Sequence, residues 1–130
     1  MNSIKANILV VDDSIPNLDL LDSLLTSEGY AVRTASNGLM ALREVTAVSP
    51  NLILLDVNMP DMDGYTVCNH LKADARTRDI PVIFLSGSDS ILDEEKAFRV
   101  GGVDYVTKPY ELDEIIARIE SHLQPILLRL

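Results

Sequence analysis

Asp12 and Asp13, Asp56, Ser86 and Lys108 all stand where a short apolar run stops. Ile8-Leu9-Val10-Val11 runs into Asp12-Asp13, and Leu52-Ile53-Leu54-Leu55 into Asp56. Val82-Ile83-Phe84-Leu85 runs into Ser86, and Tyr105-Val106-Thr107 into Lys108. Three carboxylates, a hydroxyl and an ammonium suit a hard divalent cation together with a phosphoryl group. A carboxylate leaving a buried strand is costly unless it is paired or metal-bound, and three in one place repel one another. Mg²⁺ resolves that conflict, because it takes one or two carboxylates, several waters and a phosphate oxygen. Gly87, directly after Ser86, lets the backbone approach a ligand closely and offer its N–H.

For these side chains to meet, the apolar runs must lie side by side and point the same way. Short apolar runs separated by helical periodicity read as buried strands of a parallel sheet. The pattern predicts strands at about residues 8–11, 31–35, 52–56, 81–85 and 105–107. Helices fall at about 16–28, 38–48 and 65–73, then from near Ser90 to before Gly101-Gly102, and from near Glu111 past Ile119. Ser14 suits a helix cap, Pro16 a first turn and Gly29 a stop. Leu18, Leu21, Leu24 and Leu25 make one apolar face, and Leu39, Leu42 and Val45 another. Ser90 with Asp93 forms a candidate capping box. Strict β-α alternation predicts an α/β fold with right-handed crossovers. Five strands fit the flavodoxin-like, doubly wound order 2-1-3-4-5, with five helices. Ligands in such sheets bind outside the carboxyl ends of the strands, and strands 1 and 3 are neighbours at the switch point. Asp13 and Asp56 then face each other, and Lys108 reaches over strand 4 towards Asp56.

The composition narrows the function further. The 130 residues favour one domain, with a core over about 6–123 and a helical extension or linker start over 124–130. At 47% hydrophobic residues, the chain has enough apolar surface for a core. A net charge of −9 argues against nucleic acid and against an anionic membrane as direct partners. Cys68 is the one cysteine, which excludes an internal disulfide, fits a reducing compartment, and reads as a small core residue. The first seven residues lack the apolar core of a signal peptide, and no apolar stretch approaches a membrane span. A cytoplasmic location is the expectation.

With these residues in this order, the chain resembles the response-regulator receiver domains of two-component signalling. The resemblance covers about residues 8–123. It rests on Asp12-Asp13, Asp56, the loop Met59-Pro60-Asp61-Met62-Asp63-Gly64, Ser86, Tyr105 and Lys108-Pro109. It implies that Asp56 is the nucleophile taking a phosphoryl group from a phosphohistidine on a histidine kinase or phosphotransfer protein. Asp13 would bind Mg²⁺ directly, Asp12 mainly through water, and Asn58 through its backbone carbonyl. Lys108 would pair with the phosphoryl group, and Ser86 would donate a hydrogen bond to it. Tyr105 would turn inward as the loop after strand 4 closes, and Pro109 would follow a cis peptide bond. Such a domain is a switch that catalyses its own phosphorylation and dephosphorylation, presenting the face of helix 4, strand 5 and helix 5. Two positions depart from the common pattern. Ser86 stands in place of threonine, and Gly101-Gly102-Val103-Asp104 in place of Gly-Ala-Asp-Asp, where the extra glycine is expected to loosen the start of strand 5.

Three other functions compete. A degenerate receiver serving only as an interaction module is disfavoured by the complete set of Asp13, Asp56, Ser86 and Lys108. A phosphatase resembling haloacid dehalogenases needs Asp-x-Asp after strand 1, where Asp12-Asp13-Ser14 stands. A flavin binder needs a phosphate loop there, and two aspartates would repel the phosphate. His70 and His122 have no evident partners, Met59 and Met62 read as loop packing, and Asp89 to Lys96 as a solvated face. Ile116, Ile119, Leu123, Ile126 and Leu130 follow a 3-4 coiled-coil spacing interrupted by Pro125, whose interior placement costs about 3 kcal/mol. Helix 5 thus either packs on the sheet and ends in an apolar tail, or runs towards a fused output module or a homodimer partner.

Overall fold

The computed structural model describes residues 4–127. The elements are β1 (Asn7–Val11), α1 (Ile15–Ser27), β2 (Ala31–Ala35), α2 (Gly38–Ala47), β3 (Leu52–Asp56), α3 (Gly64–Ala73), β4 (Val82–Ser86), α4 (Ile91–Arg99), β5 (Asp104–Thr107) and α5 (Leu112–Leu127). The strands form one parallel sheet in the order β2-β1-β3-β4-β5, as the alternation predicts. Val11 lies beside Leu55, Asp56 beside Leu85, and Ser86 beside Thr107. The residues that follow these positions therefore emerge along one rim.

Side chains alternate across a strand, so each apolar run feeds two cores. Leu9, Val11, Ile53, Leu55 and Phe84 pack with Val45, Val67, Cys68 and Ala97 of α2, α3 and α4. Ile8, Val10, Leu52, Leu54, Ile83 and Val106 pack with Leu18, Leu21, Leu25, Ile115, Ile119 and Leu123 of α1 and α5. Asp56 shares the parity of Leu54, Asp12 that of Val10, and Lys108 that of Val106. Strand alternation thus sends all three towards the α1–α5 side of the rim.

The local signals act mostly as expected. Ser14 Oγ accepts the Asn17 N–H at 3.4 Å, and Pro16 lies in the first turn of α1, where an N–H has no partner to lose. Gly29, at φ 99°, turns the chain away after the helix.

Three expectations need correction. Leu39 is exposed, because the buried stripe of α2 is Gly38, Ala41 and Val45, and Leu39 is rotated out of that line. Ile116 stands outside the core, whereas Ile115, Ile119 and Leu123, at i, i+4 and i+8, are fully buried. Two members of the expected seam are therefore occupied by the sheet. The side chains of Pro125 and Ile126, and Leu130 altogether, lie outside the described residues. Gly102 is also closely packed. A methyl there would sit 2.6 Å from the Phe84 ring and 2.9 Å from the Ala97 carbonyl, so the ring fills the space a side chain would need. Finally, Ser90 makes no cap bond. Ser88 Oγ stands between the two groups a capping box would join, accepting the Ser90 N–H at 3.2 Å and donating to Asp93 Oδ2 at 2.6 Å.

Candidate functional site

Asp12, Asp13 and Asp56 bring carboxylate oxygens within 4.8 Å of one another at the carboxyl rim of β1 and β3. Asp12 and Asp56 are buried and Asp13 is exposed. Asp12 Oδ1 accepts the Ser14 N–H at 2.9 Å, and its Oδ2 accepts Asn17 Nδ2 at 3.4 Å. The start of α1 thereby fixes the first acid. Asp56 is fixed from the other side. Gly64 N–H donates to the Val57 carbonyl at 2.8 Å, and Val57 N–H to that of Leu85 at 3.0 Å. Gly64 has no room for a side chain, since a Cβ would press on the Asp56 carbonyl and the Val57 backbone. Residues 57–63 therefore fold back over the strand end. Met59 is buried in the core beneath, and Asn58 stays exposed above.

Lys108 bridges the acids. Its Nζ donates to Asp56 Oδ1 at 3.1 Å and to Asp12 Oδ2 at 3.4 Å. Burial works against the ammonium, but the two carboxylates outweigh it and hold the lysine above its ordinary value. The Lys108-Pro109 peptide is cis. Burial, then the charge of Asp12, push Asp56 up from 3.8 to about 6, with Lys108 pulling it down and Asp13 adding to the rise. One ammonium therefore leaves the cluster short of positive charge. An all-oxygen donor set, crowded and under-neutralised, is chemistry that fits Mg²⁺.

On the far side of Asp56, Ser86 is buried at the end of β4 and its hydroxyl accepts the Ser88 N–H at 3.1 Å. Gly87 is exposed, with open space where a Cβ would stand. Tyr105 is turned inward, and its hydroxyl donates to the Ser88 carbonyl at 2.7 Å. A groove of about 770 Å³ opens next to Asp13, between Ile15, Leu39 and Met62.

The structure thus brings Asp12, Asp13, Asp56 and Lys108 together, with Ser86 at the end of β4, Gly87 on the loop that follows and Tyr105 on β5 beside them. Two clusters escape sequence reasoning. Asp93, read as part of a solvated face, is half-buried and holds Ser88, while its carbonyl accepts the Tyr65 hydroxyl at 3.0 Å. His122, read as lacking a partner, lies 2.9 Å from Asp104 Oδ2, and Arg118 holds the other oxygen of that carboxylate. Ser88 lies only five residues before Asp93, but Tyr65, Arg118 and His122 reach their partners across 14 to 28 residues, through the packing of helices on the sheet. His70 is exposed, and Cys68 is buried with its thiol pushed up to about 11 by burial.

Comparison with known proteins agrees with this geometry. The response regulator receiver domain family matches residues 8–120. The response regulator PleD of Caulobacter vibrioides is 44% identical over 117 residues, 90% of this chain and 26% of that protein. The DNA-binding dual master transcriptional regulator RpaA of Synechocystis is 38% identical over 90% of this chain and 48% of that protein. The chain thus spans less than half the length of either. Among solved structures, the Vibrio cholerae chemotaxis protein CheY4 superposes with a TM-score of 0.87 at 27% identity, covering 91% of this chain and 98% of that one. By family match and by fold, this chain is a member of the response regulator receiver domains of two-component signalling.

Proposed function

We propose that this receiver is a phosphoacceptor, with Asp56 taking a phosphoryl group from a phosphohistidine on a histidine kinase or phosphotransfer protein. An Asp56 carboxylate oxygen attacks phosphorus. The P–N bond breaks, and its electron pair leaves on the imidazole nitrogen. Such transfer passes through a loose transition state, so positioning and charge neutralisation carry the catalysis. The observation that carries this reading is Lys108 Nζ at 3.1 Å from Asp56 Oδ1, inside a cluster of three carboxylates. Lys108 holds one oxygen of the nucleophile and neutralises the arriving phosphoryl oxygens. Ser86 and the Gly87 N–H donate to those oxygens once the group is attached. Asp12, Asp13, Asp56 and the Asn58 carbonyl would hold Mg²⁺, which supplies positive charge to phosphoryl oxygens that would otherwise meet three carboxylates.

The attached group adds negative charge and acceptor oxygens, which favour an inward loop after β4 and an inward Tyr105. The readout would be the face formed by α4, β5 and α5. Partners are the phosphodonor protein and either a homodimer mate or a fused output module beyond α5. The different names of the relatives PleD and RpaA fit a common switch serving different outputs. The groove beside Asp13, with exposed Ile15 and Leu39, suits a protein donor better than a free anion. A cytoplasmic setting follows from the kinase partner, and among the described residues no helix is long and apolar enough to cross a membrane. The complete acid-lysine-hydroxyl set counts against a degenerate receiver.

The test is incubation with Mg²⁺ and acetyl phosphate, read by intact mass. Wild type is expected to gain one phosphoryl group, and Asp56→Asn none. An unmodified wild type refutes the reading.

A further inference from the structure

Ser88 uses every polar atom it has. Its N–H donates to Ser86 Oγ at 3.1 Å, and its carbonyl accepts the Tyr105 hydroxyl at 2.7 Å. Its own hydroxyl accepts the Ser90 N–H at 3.2 Å and donates to Asp93 Oδ2 at 2.6 Å. The last is the shortest of the four and has a charged acceptor, so it is the strongest. Asp93 is held in turn. It lies in the first turn of α4, where a carboxylate is favoured, and its carbonyl receives the Tyr65 hydroxyl of α3 at 3.0 Å. Burial pushes that phenol up to about 12, which keeps it a donor. The Tyr65 ring is fixed by Phe84 at 5.4 Å and by Lys96 Nζ at 4.6 Å from its centroid.

The consequence falls on Ser86. The Ser88 N–H occupies a lone pair of the Ser86 oxygen, which leaves the hydroxyl proton directed elsewhere. A phosphoryl oxygen on Asp56 needs that proton. We propose that Asp93 is a positioning residue for Ser86, acting through the Ser88 hydroxyl, with Tyr65 anchoring it to α3. Ser86, Ser88 and the Tyr105 hydroxyl are thereby held together as one unit. Asp93 touches none of the reacting atoms.

This inference rests on the phosphoacceptor reading, and its test separates the two. The rate of modification by acetyl phosphate with Mg²⁺ is measured for wild type, Asp93→Ala, Asp93→Asn, Ser88→Ala, Ser86→Ala and the Asp93→Ala/Ser86→Ala pair. Losing one hydrogen bond that orients a reacting group slows the step about five-fold. Asp93→Ala and Ser88→Ala, which break the same bond from opposite ends, are each expected to show that loss. Asp93→Asn, whose amide oxygen still accepts the Ser88 hydroxyl, is expected near the wild-type rate. In the Ser86→Ala background, Asp93→Ala is expected to cost nothing more. A purely structural role for Asp93 would lower the rate equally with and without Ser86, and that result overturns the proposal. Wild-type rates for Asp93→Ala overturn it as well, while leaving the phosphoacceptor reading intact. A wild type that takes no phosphate removes both.

Discussion

Asp56→Asn should make the metal-free protein more stable at neutral pH, although it removes an ion pair. Asp56 is raised from 3.8 to about 6 in the folded chain, and this net rise already includes the help of Lys108. At about 1.4 kcal/mol for each tenfold change, the ionised carboxylate costs the folded state about 3 kcal/mol at pH 7 and above. Its side chain is 5% exposed, so water does little to screen that cost. Asparagine carries no charge to bury, and Lys108 keeps Asp12 at 3.4 Å, so no unpaired ammonium remains. The pH dependence has a definite sign. An acid whose pKa is raised by folding holds its proton in the native state between 3.8 and about 6, while the unfolded chain has released it. Its contribution to stability is therefore greatest below about pH 4 and is lost as pH rises through about 6.

Urea unfolding in EDTA at a series of pH values from about 4 to about 8 measures this directly. The stability difference between Asp56→Asn and wild type should be near zero at the acid end and grow to about 3 kcal/mol at the neutral end, or about 10 °C in Tm. Adding Mg²⁺ should then stabilise wild type and close part of the gap, because a ligand that binds only the folded state adds to its stability. A difference that stays flat with pH, or a destabilised Asp56→Asn, would refute the claim that the carboxylates are crowded and under-neutralised.

Lys108→Ala should lift the Asp56 titration above its wild-type position, followed by carboxylate NMR in EDTA, and should slow acetyl phosphate labelling about a hundred-fold, as loss of a charge-stabilising donor does. Gly102→Ala should destabilise the fold by about 1–3 kcal/mol through its clash with Phe84, and Phe84→Leu should recover part of that loss in the double variant. Additive losses in a denaturation cycle would rule that contact out. Cys68 is fully buried with its thiol near 11, so iodoacetamide at about pH 8 should label it only as fast as the chain opens. Prompt labelling of native protein would contradict its placement in the core.

What the sequence made legible follows from how each feature is encoded. The strand order and the acid-lysine cluster were readable because each rests on local signals repeated along the chain. Apolar runs of four mark β1, β3 and β4, and a polar residue at each of those runs' ends marks the rim. Alternation within a strand then decides which side of the sheet Asp12, Asp56 and Lys108 serve. Helix faces were less legible where one residue separates core from solvent. Leu39 is as apolar as Leu42, and only the line through Ala41 and Val45 shows which of them turns away. Ile115 and Ile116 pose the same choice on α5, and the sheet selects Ile115.

Contacts between distant segments left no sequence signal. Asp93 looks like any acid in a charged first turn until the loop after β4 folds Ser88 against it and α3 brings Tyr65 across. The close packing of Phe84 against Gly102 is likewise invisible in the sequence. Phe84 contributes to both features, packing against the Tyr65 ring and crowding Gly102. A change at Phe84 should therefore act in two places at once. It relieves position 102, and it frees the tyrosine ring that anchors Asp93. Phe84→Leu alone is expected to lower the acetyl phosphate labelling rate although residue 84 lies in the core, away from the acid cluster. Combining it with Gly102→Ala should restore stability without restoring the rate, because the methyl fills the vacated space at 102 but offers Tyr65 no ring. Recovery of both together would mean that the α3–α4 contact does not depend on Phe84.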